Sequence, residues 1–185
     1  MTENKLKNYV VNYLAADFNE VCARGHVVPP IDEFESTIIY KYTKDGYIDL
    51  NKELRNKRND KLPEFGKYLK HSLEKLPSYK GLAYRGVNLT ASQTNLYQKF
   101  YKSGEPLTEP AFLSTSRRRT LAMSFGTKCL FVIHSKHGKL VENYARFGIN
   151  NPHNESEVIF SNNSTFTVAD ISREGNRIVI TMFEV

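Results

Sequence analysis

The chain has 185 residues, enough for one domain with a sizeable core, and 40% hydrophobic with 25% charged residues is ordinary globular composition. Lys and Arg total 26 against 20 Asp and Glu, a formal charge of +6, which favours an anionic ligand or an acidic partner without choosing between them. Only two cysteines occur, Cys22 and Cys129, far apart and without metal-ligand spacing, and no apolar run approaches the ~20 residues that span a bilayer. These facts exclude a disulfide scaffold and a membrane-spanning helix. The first residues, MTENKLKNYVVNYLAAD, hold no continuous apolar region, so no Sec-type leader is expected.

Leu6, Tyr9, Val10, Tyr13, Leu14 and Val21 recur at helical spacing, and Gly25 is a stop signal. After the break at VVPP, Ile31, Phe34, Ile38 and Tyr42 predict a second helix, and a short charged piece surrounds Leu50 and Leu54. A clearer helix starts near Pro63, carries Phe65, Tyr68, Leu69, Leu73 and Leu76 as its stripe, and ends at Pro77. From residue 80 the character changes. GLAYRGV reads as a strand, and TASQTNLYQKFYKSG reads as a helix with Thr90 and Gln93 at capping-box spacing and Gly104 as its stop. AFLSTS is a strand, and RRRTLAMSFG is a short helix or turn. KCLFVIHS, SEVIFS, TFTVADI and RIVITMFEV are rich in β-branched and aromatic residues, with turn chemistry at SNNS and REGN. The outline is a helical front and a mostly β back half, with no repeat and no linker that would force two domains.

Three back-half features could carry chemistry: Tyr84-Arg85-Gly86 and Ser114-Thr115-Ser116, each at a predicted strand end, and Glu155-Ser156-Glu157 entering a strand after ARFGINNPHN. Taken singly, each has a plain reading. Arg85 is a surface arginine, Ser116 caps the helix that follows, and the glutamates are solvated carboxylates on an edge strand. Residues two apart in a strand share a face, so the sequence also predicts that Glu155 and Glu157 point at one spot. His26, His71, His134, His137 and His153 show no metal-ligand spacing, and no metal is expected.

The ordered triple of YRG, FLSTS and ESE resembles the R-S-E class of mono-ADP-ribosyltransferases, the family of clostridial binary toxins, arginine-specific ecto-enzymes and phage-encoded transferases. The resemblance covers Tyr84 to the C-terminus; the His and Tyr pattern of the H-Y-E class is not matched. It implies an α+β fold with an ADP-ribosyltransferase-type split β core, an N-terminal helical region and an NAD cleft between the sheets. One domain is expected over 1–185, with 1–78 as helical front and 79–185 as β-rich catalytic core.

The resemblance also implies roles. NAD is the substrate, cleaved at the nicotinamide–ribose bond. Arg85 would grip its phosphates, since a guanidinium fork matches phosphate oxygens. Gly86 would bring its backbone to the nicotinamide amide. Ser114 would hold Glu157, Thr115 and Ser116 would shape the cleft floor, and Arg117 or its neighbours Arg118 and Arg119 would lie along the phosphates. Glu157 would face the cationic ribose of the transition state. Glu155 would specify arginine as acceptor, because a guanidinium must lose a proton before it attacks. Where many relatives have an aromatic before the glutamates, this chain reads NPHN, with Phe147 or His153 as substitutes.

The expected activity is therefore mono-ADP-ribosylation of a protein arginine by a bacterial effector toxin or a phage enzyme. It would act in the cytoplasm of a host or target cell, delivered by a secretion system in the toxin case. An immunity or inhibitor protein is a further partner if the chain is a toxin, and no membrane partner is expected. The alternatives are an NAD glycohydrolase, a nucleic-acid ADP-ribosyltransferase of the same fold, and a non-catalytic binding module. Nucleic acid is disfavoured by the lack of aromatic–basic interleaving, and a binding module has no need of both glutamates.

Overall fold

The computed structural model describes residues 3–25, 27–56, 61–149 and 151–185. His26 and Asn150, which the sequence reading touched, lie outside the described residues. The chain folds into two compact units, Met1–Pro77 with Val141–Asn154, and Ser78–Leu140 with Glu155–Val185.

In the first unit the initial apolar stripe forms two helices, α1 (Glu3–Tyr13) and α2 (Ala15–Ala23), parted at Leu14, whose φ of −127° and ψ of 25° leave helical geometry. Gly25 then adopts φ +71°, the left-handed conformation that closes helices. Helix α3 (Glu33–Lys41) opens on a capping box in which Asp32 accepts from the Glu35 amide at 2.9 Å and its own amide donates to Glu35 Oε2 at 3.3 Å. It passes through a π-helical turn, Tyr42–Gly46, into α4 (Tyr47–Asn56). Helix α5 (Glu64–Lys75) follows Pro63. Val10, Ile38, Ile39, Tyr40, Tyr42 and Leu69 are fully buried here, each contributing roughly 1.5–3 kcal/mol of apolar burial.

The segment Val141–Asn154 belongs to this helical unit although it lies between strands in sequence. Arg24 Nη1 donates to the Ala145 carbonyl at 2.9 Å, Tyr144 donates to the Val28 carbonyl at 2.8 Å, and the Arg146 amide donates to Thr43 Oγ1 at 2.8 Å. The loop leading to the glutamate pair is thus fastened by side chains of the helices and their connections.

The second unit carries β1 (Gly81–Val87), α6 (Ala91–Ser103), β2 (Leu107–Glu109), β3 (Leu113–Ser116), α7 (Arg119–Phe125), β4 (Cys129–Ser135), β5 (Lys139–Leu140), β6 (Glu157–Phe160), β7 (Ser164–Glu174) and β8 (Arg177–Glu184). The strands order as β2-β7-β8-β4-β1-β3-β6-β5, antiparallel except for the parallel pair β4–β8. Helix α6 has the capping box read from Thr90 and Gln93 and ends at Gly104 with φ +68°. It lays Tyr97 and Phe100 on a core that includes Phe131, Phe160, Phe166 and Ile180. The short strands β2 and β5 carry no sequence signal of their own; pairing to β7 and β6 creates them.

One feature of the sheet positions the site. Strand β1 pairs with β4 from Gly81 to Val87, and β3 pairs with β6 along its whole length, yet β1 and β3 meet only at Tyr84 and Ser116. The expected split of the β core is therefore a pinch in one continuous sheet, five strands on one side and three on the other. The fold is α+β, as the resemblance implied.

Candidate active site

All three motif elements gather at that pinch. On β3, Ser114 and Ser116 share a face by strand alternation. Glu157, the first residue of β6, stands directly across from Ser116, and Ile159 stands across from Ser114. Glu157 is therefore the diagonal neighbour of Ser114, within side-chain reach, and the Ser114 hydroxyl donates to its carboxylate. From β1, Arg85 Nη1 donates to the Ser114 carbonyl at 2.5 Å and brings its charge towards Glu157.

Glu157 is 7% exposed. Burial is the main force on its carboxyl, and nearby Glu155 adds to it. Against them act the Ser114 hydrogen bond and the Arg85 charge, and the balance leaves the pKa pushed up to about 7. Burial also raises the pKa of Glu155. Two neighbouring carboxyl groups whose charged forms are disfavoured by burial are a signature of proton-transfer and cation-stabilising sites rather than of a solvated surface.

Several expectations are corrected here. The glutamates do not lie on an edge strand, because β6 is paired on both sides, to β3 and β5. Nor do they share a strand face. The strand begins at Glu157, Ser156 has φ +48°, and Glu155 precedes the strand. Their proximity comes from that turn, not from alternation. Ser116 is not the cap of α7, which is Arg118; the Ser116 hydroxyl accepts from the Arg118 amide at 3.0 Å and donates to the Glu155 carbonyl at 2.6 Å.

Thr115 is buried and donates to the Val158 carbonyl at 2.7 Å, a bond that ties β3 to β6. Among the three arginines, Arg119 is paired with Glu174 at 2.5 Å, whereas Arg117 and Arg118 are exposed. The absence of a Cβ at Gly86 has a packing reason that the sequence reading missed. A Cβ there would lie 2.1 Å from the Ala122 carbonyl oxygen, so glycine is what lets α7 press against β1. In the helical unit, Phe147 is half-buried beside Arg146, and His153 is exposed. Ser156 is the residue the sequence reading overlooked, since nothing in E-S-E announces a left-handed serine.

The comparisons with known proteins agree with this geometry. The chain superposes on solved structures, among them an ADP-ribosyltransferase and a protein bound to an NAD analogue. One is exoenzyme S of Pseudomonas aeruginosa, solved with human 14-3-3 protein beta and carba-NAD (TM-score 0.77, 18% identity, 98% of this chain and 88% of that one). Another is Vis of Vibrio splendidus, solved with agmatine (TM-score 0.69, 25% identity, 100% of this chain and 86% of that one). The profile of the ADP-ribosyltransferase exoenzyme family matches residues 30–183, and the chain belongs to that family. Among curated relatives, Mav of Mycobacterium avium (strain 104), which carries a provisional name as an NAD(+)–arginine ADP-ribosyltransferase, is 33% identical over 160 residues, 84% of this chain and 18% of Mav. Tre1 of Serratia proteamaculans (strain 568), an NAD(+)–protein-arginine ADP-ribosyltransferase, is 29% identical over 133 residues, 70% of this chain and 27% of Tre1. The chain thus spans a minor part of the length of these curated relatives. No group of metal-ligating side chains occurs among the described residues, and no helix there is long and apolar enough to cross a membrane.

Proposed function

We propose that this chain is an NAD-dependent mono-ADP-ribosyltransferase that modifies arginine on a protein, with residues 1–185 acting as one transferase module. The family match crosses both units, and the relatives Mav and Tre1 bear arginine-transferase names. The observation that carries the reading is a buried Glu157, held by Ser114 beside Arg85, with Glu155 adjacent.

The chemistry follows from those groups. The bond between nicotinamide nitrogen and ribose C1′ breaks, and its electron pair leaves on nicotinamide. The ribose is left cationic, and the ionised Glu157 carboxylate stabilises it from a site with little water. Arg85 binds the diphosphate of NAD. A guanidine nitrogen of the acceptor then bonds to C1′, and Glu155 takes the proton that the guanidinium must lose. Its raised pKa suits it to that task. Delivered as an effector, the domain would meet its protein target in the cytoplasm of a host or target cell.

The test compares two isosteric changes. Glu157→Gln should remove nicotinamide release and label transfer to agmatine together, because both reactions pass through the ribosyl cation. Glu155→Gln should lower transfer far more than nicotinamide release, because water needs less help than a protonated guanidinium. Full transfer to agmatine by Glu155→Gln would remove Glu155 as the group that takes the acceptor's proton, and a wild type that releases nicotinamide but labels neither agmatine nor a protein arginine would exclude arginine as the acceptor.

A further inference from the structure

We propose that Ser116 is a positioning residue for Glu155: with the left-handed turn at Ser156, it sets transfer to the acceptor apart from cleavage of NAD. The proposal rests on the arginine reading above and deepens it, since it concerns how the acceptor-side carboxylate is held.

Three observations support it. First, Ser156 has φ +48°, a conformation uncommon for a residue with a Cβ, and it is buried. Such a conformation persists only where the surroundings hold it. Secondly, the hold is visible. The Arg117 amide donates to the Ser156 carbonyl at 3.0 Å, and Ser116 Oγ donates to the Glu155 carbonyl at 2.6 Å. Both residues of the turn are thereby fixed to the end of β3. Thirdly, the Ser116 hydroxyl has one proton, which goes to Glu155, while the Arg118 amide donates to the same oxygen at 3.0 Å. That amide orients the hydroxyl, so Ser116 serves the turn rather than the cleft floor expected for it. Ser114 holds Glu157 and Ser116 holds Glu155, so the two ends of one Ser-Thr-Ser stretch serve different glutamates. The intervening Thr115 ties the strands together.

The experiment measures nicotinamide release without acceptor, and transfer to agmatine, in Ser116→Ala, Ser116→Thr, Ser156→Gly, Ser156→Val and Glu155→Gln. Glycine adopts a positive φ freely and valine resists it. Ser116→Ala and Ser156→Val are expected to lower transfer at least about tenfold more than nicotinamide release, with the loss in kcat for agmatine rather than in KM for NAD. Ser116→Thr, which keeps the hydroxyl, and Ser156→Gly are expected to hold the ratio of the two activities near that of the wild type. Equal losses of both activities in Ser116→Ala, or an unchanged ratio, would overturn the proposal. If Ser116→Ala does not fold, the contrast of Ser156→Gly with Ser156→Val decides it by the same ratio. Glu155→Gln separates the two failures: if it loses transfer while Ser116→Ala keeps the ratio, only the role of Ser116 falls. If Glu155→Gln keeps transfer, the acceptor role of Glu155 falls and takes this proposal with it; if the wild type releases nicotinamide but does not label agmatine, the arginine reading itself falls.

Discussion

Two regions of the molecule treat their carboxylates in opposite ways. In the helical unit, Lys44 Nζ bonds Asp17 at 2.9 Å and Glu20 at 2.8 Å, the Tyr40 hydroxyl donates to Glu20, and Arg24 stacks 4.3 Å from the Tyr40 ring centre. The Lys44 hydrogen bond, followed by that of Tyr40, lowers the pKa of Glu20 to about 2, and its bonds to Glu20 and Asp17 raise that of Lys44. In the β unit, Glu157 is buried beside Arg85 and Ser114, yet its pKa rises to about 7 because desolvation outweighs both. A carboxylate that is satisfied in its charged form braces a fold. One whose charged form is disfavoured has reserve to meet a cation that arrives during a reaction.

The largest expected effect breaks the comparison on the β side. Glu157→Gln should reduce nicotinamide release by roughly 10²–10³-fold or more, as loss of a charge-stabilising group does elsewhere. In the wild type the same reaction should accelerate as pH rises through about 7, where Glu157 ionises. A rate that is flat from pH 5.5 to about 8.5, a window of about 1.5 units to either side of that value, would show that ionisation of Glu157 does not limit the reaction.

Stability should move in opposite directions in the two regions. Asp17→Asn takes a buried carboxylate from the half-buried Lys44 and should cost about 1.5 kcal/mol in denaturant unfolding, the low end for a hydrogen bond to a charged group because Lys44 keeps Glu20. Glu157→Gln should stabilise the fold. The folded-state pKa lies above the ordinary value of 4.5, so the contribution of Glu157 is fully present below that pH and is lost as pH rises through about 7. The variant should therefore gain up to about 3 kcal/mol over the wild type at pH 8 and nothing at pH 4. A gain of equal size at both pH values would remove desolvation of the charge as the cause.

Arg85→Ala sharpens the contrast from the cationic side. It should weaken NAD binding by about 1.5–3 kcal/mol, a tenfold or greater loss by calorimetry. It should also shift the acid limb of the rate profile to higher pH, because Arg85 lowers the pKa of Glu157. Unchanged NAD affinity would take Arg85 out of the binding site. The smallest effect belongs to Glu20→Gln. Glu20 is largely exposed, so at pH 7 the change should cost under about 1 kcal/mol. That contribution is lost as pH falls from the ordinary 4.5 through about 2.

How much of this was legible in the sequence depends on the range of the forces involved. The cap and stop of α6 were legible, since Thr90, Gln93 and Gly104 act within one turn of the helix. The hairpin at REGN was too, with Gly175 at φ +57° joining β7 to β8. The ordered triple of Arg85, Ser114 and Glu157 marked the candidate site, because residue type and order along the chain are read directly from the sequence. The helix break at Leu14, the π-helical turn at Tyr42–Gly46 and the strands β2 and β5 were not legible, since neighbours distant in sequence impose them.

The sequence by itself determined the helical front, the strand-rich back half and which side chains were candidates for chemistry, because periodicity, caps and residue type are local properties. Tertiary structure decided how those side chains are presented. The joining of β1 to β3 at a single pair brings Arg85 to Ser114. The left-handed Ser156 turns Glu155 out of the strand, and its hold depends on hydroxyl and amide groups about forty residues away in the chain. The contact of α7 with β1 requires Gly86 for reasons of space. Burial of Glu157, the source of its raised pKa, is likewise a property of everything packed around it. Each of these depends on long-range packing and desolvation, which no window of neighbouring residues encodes.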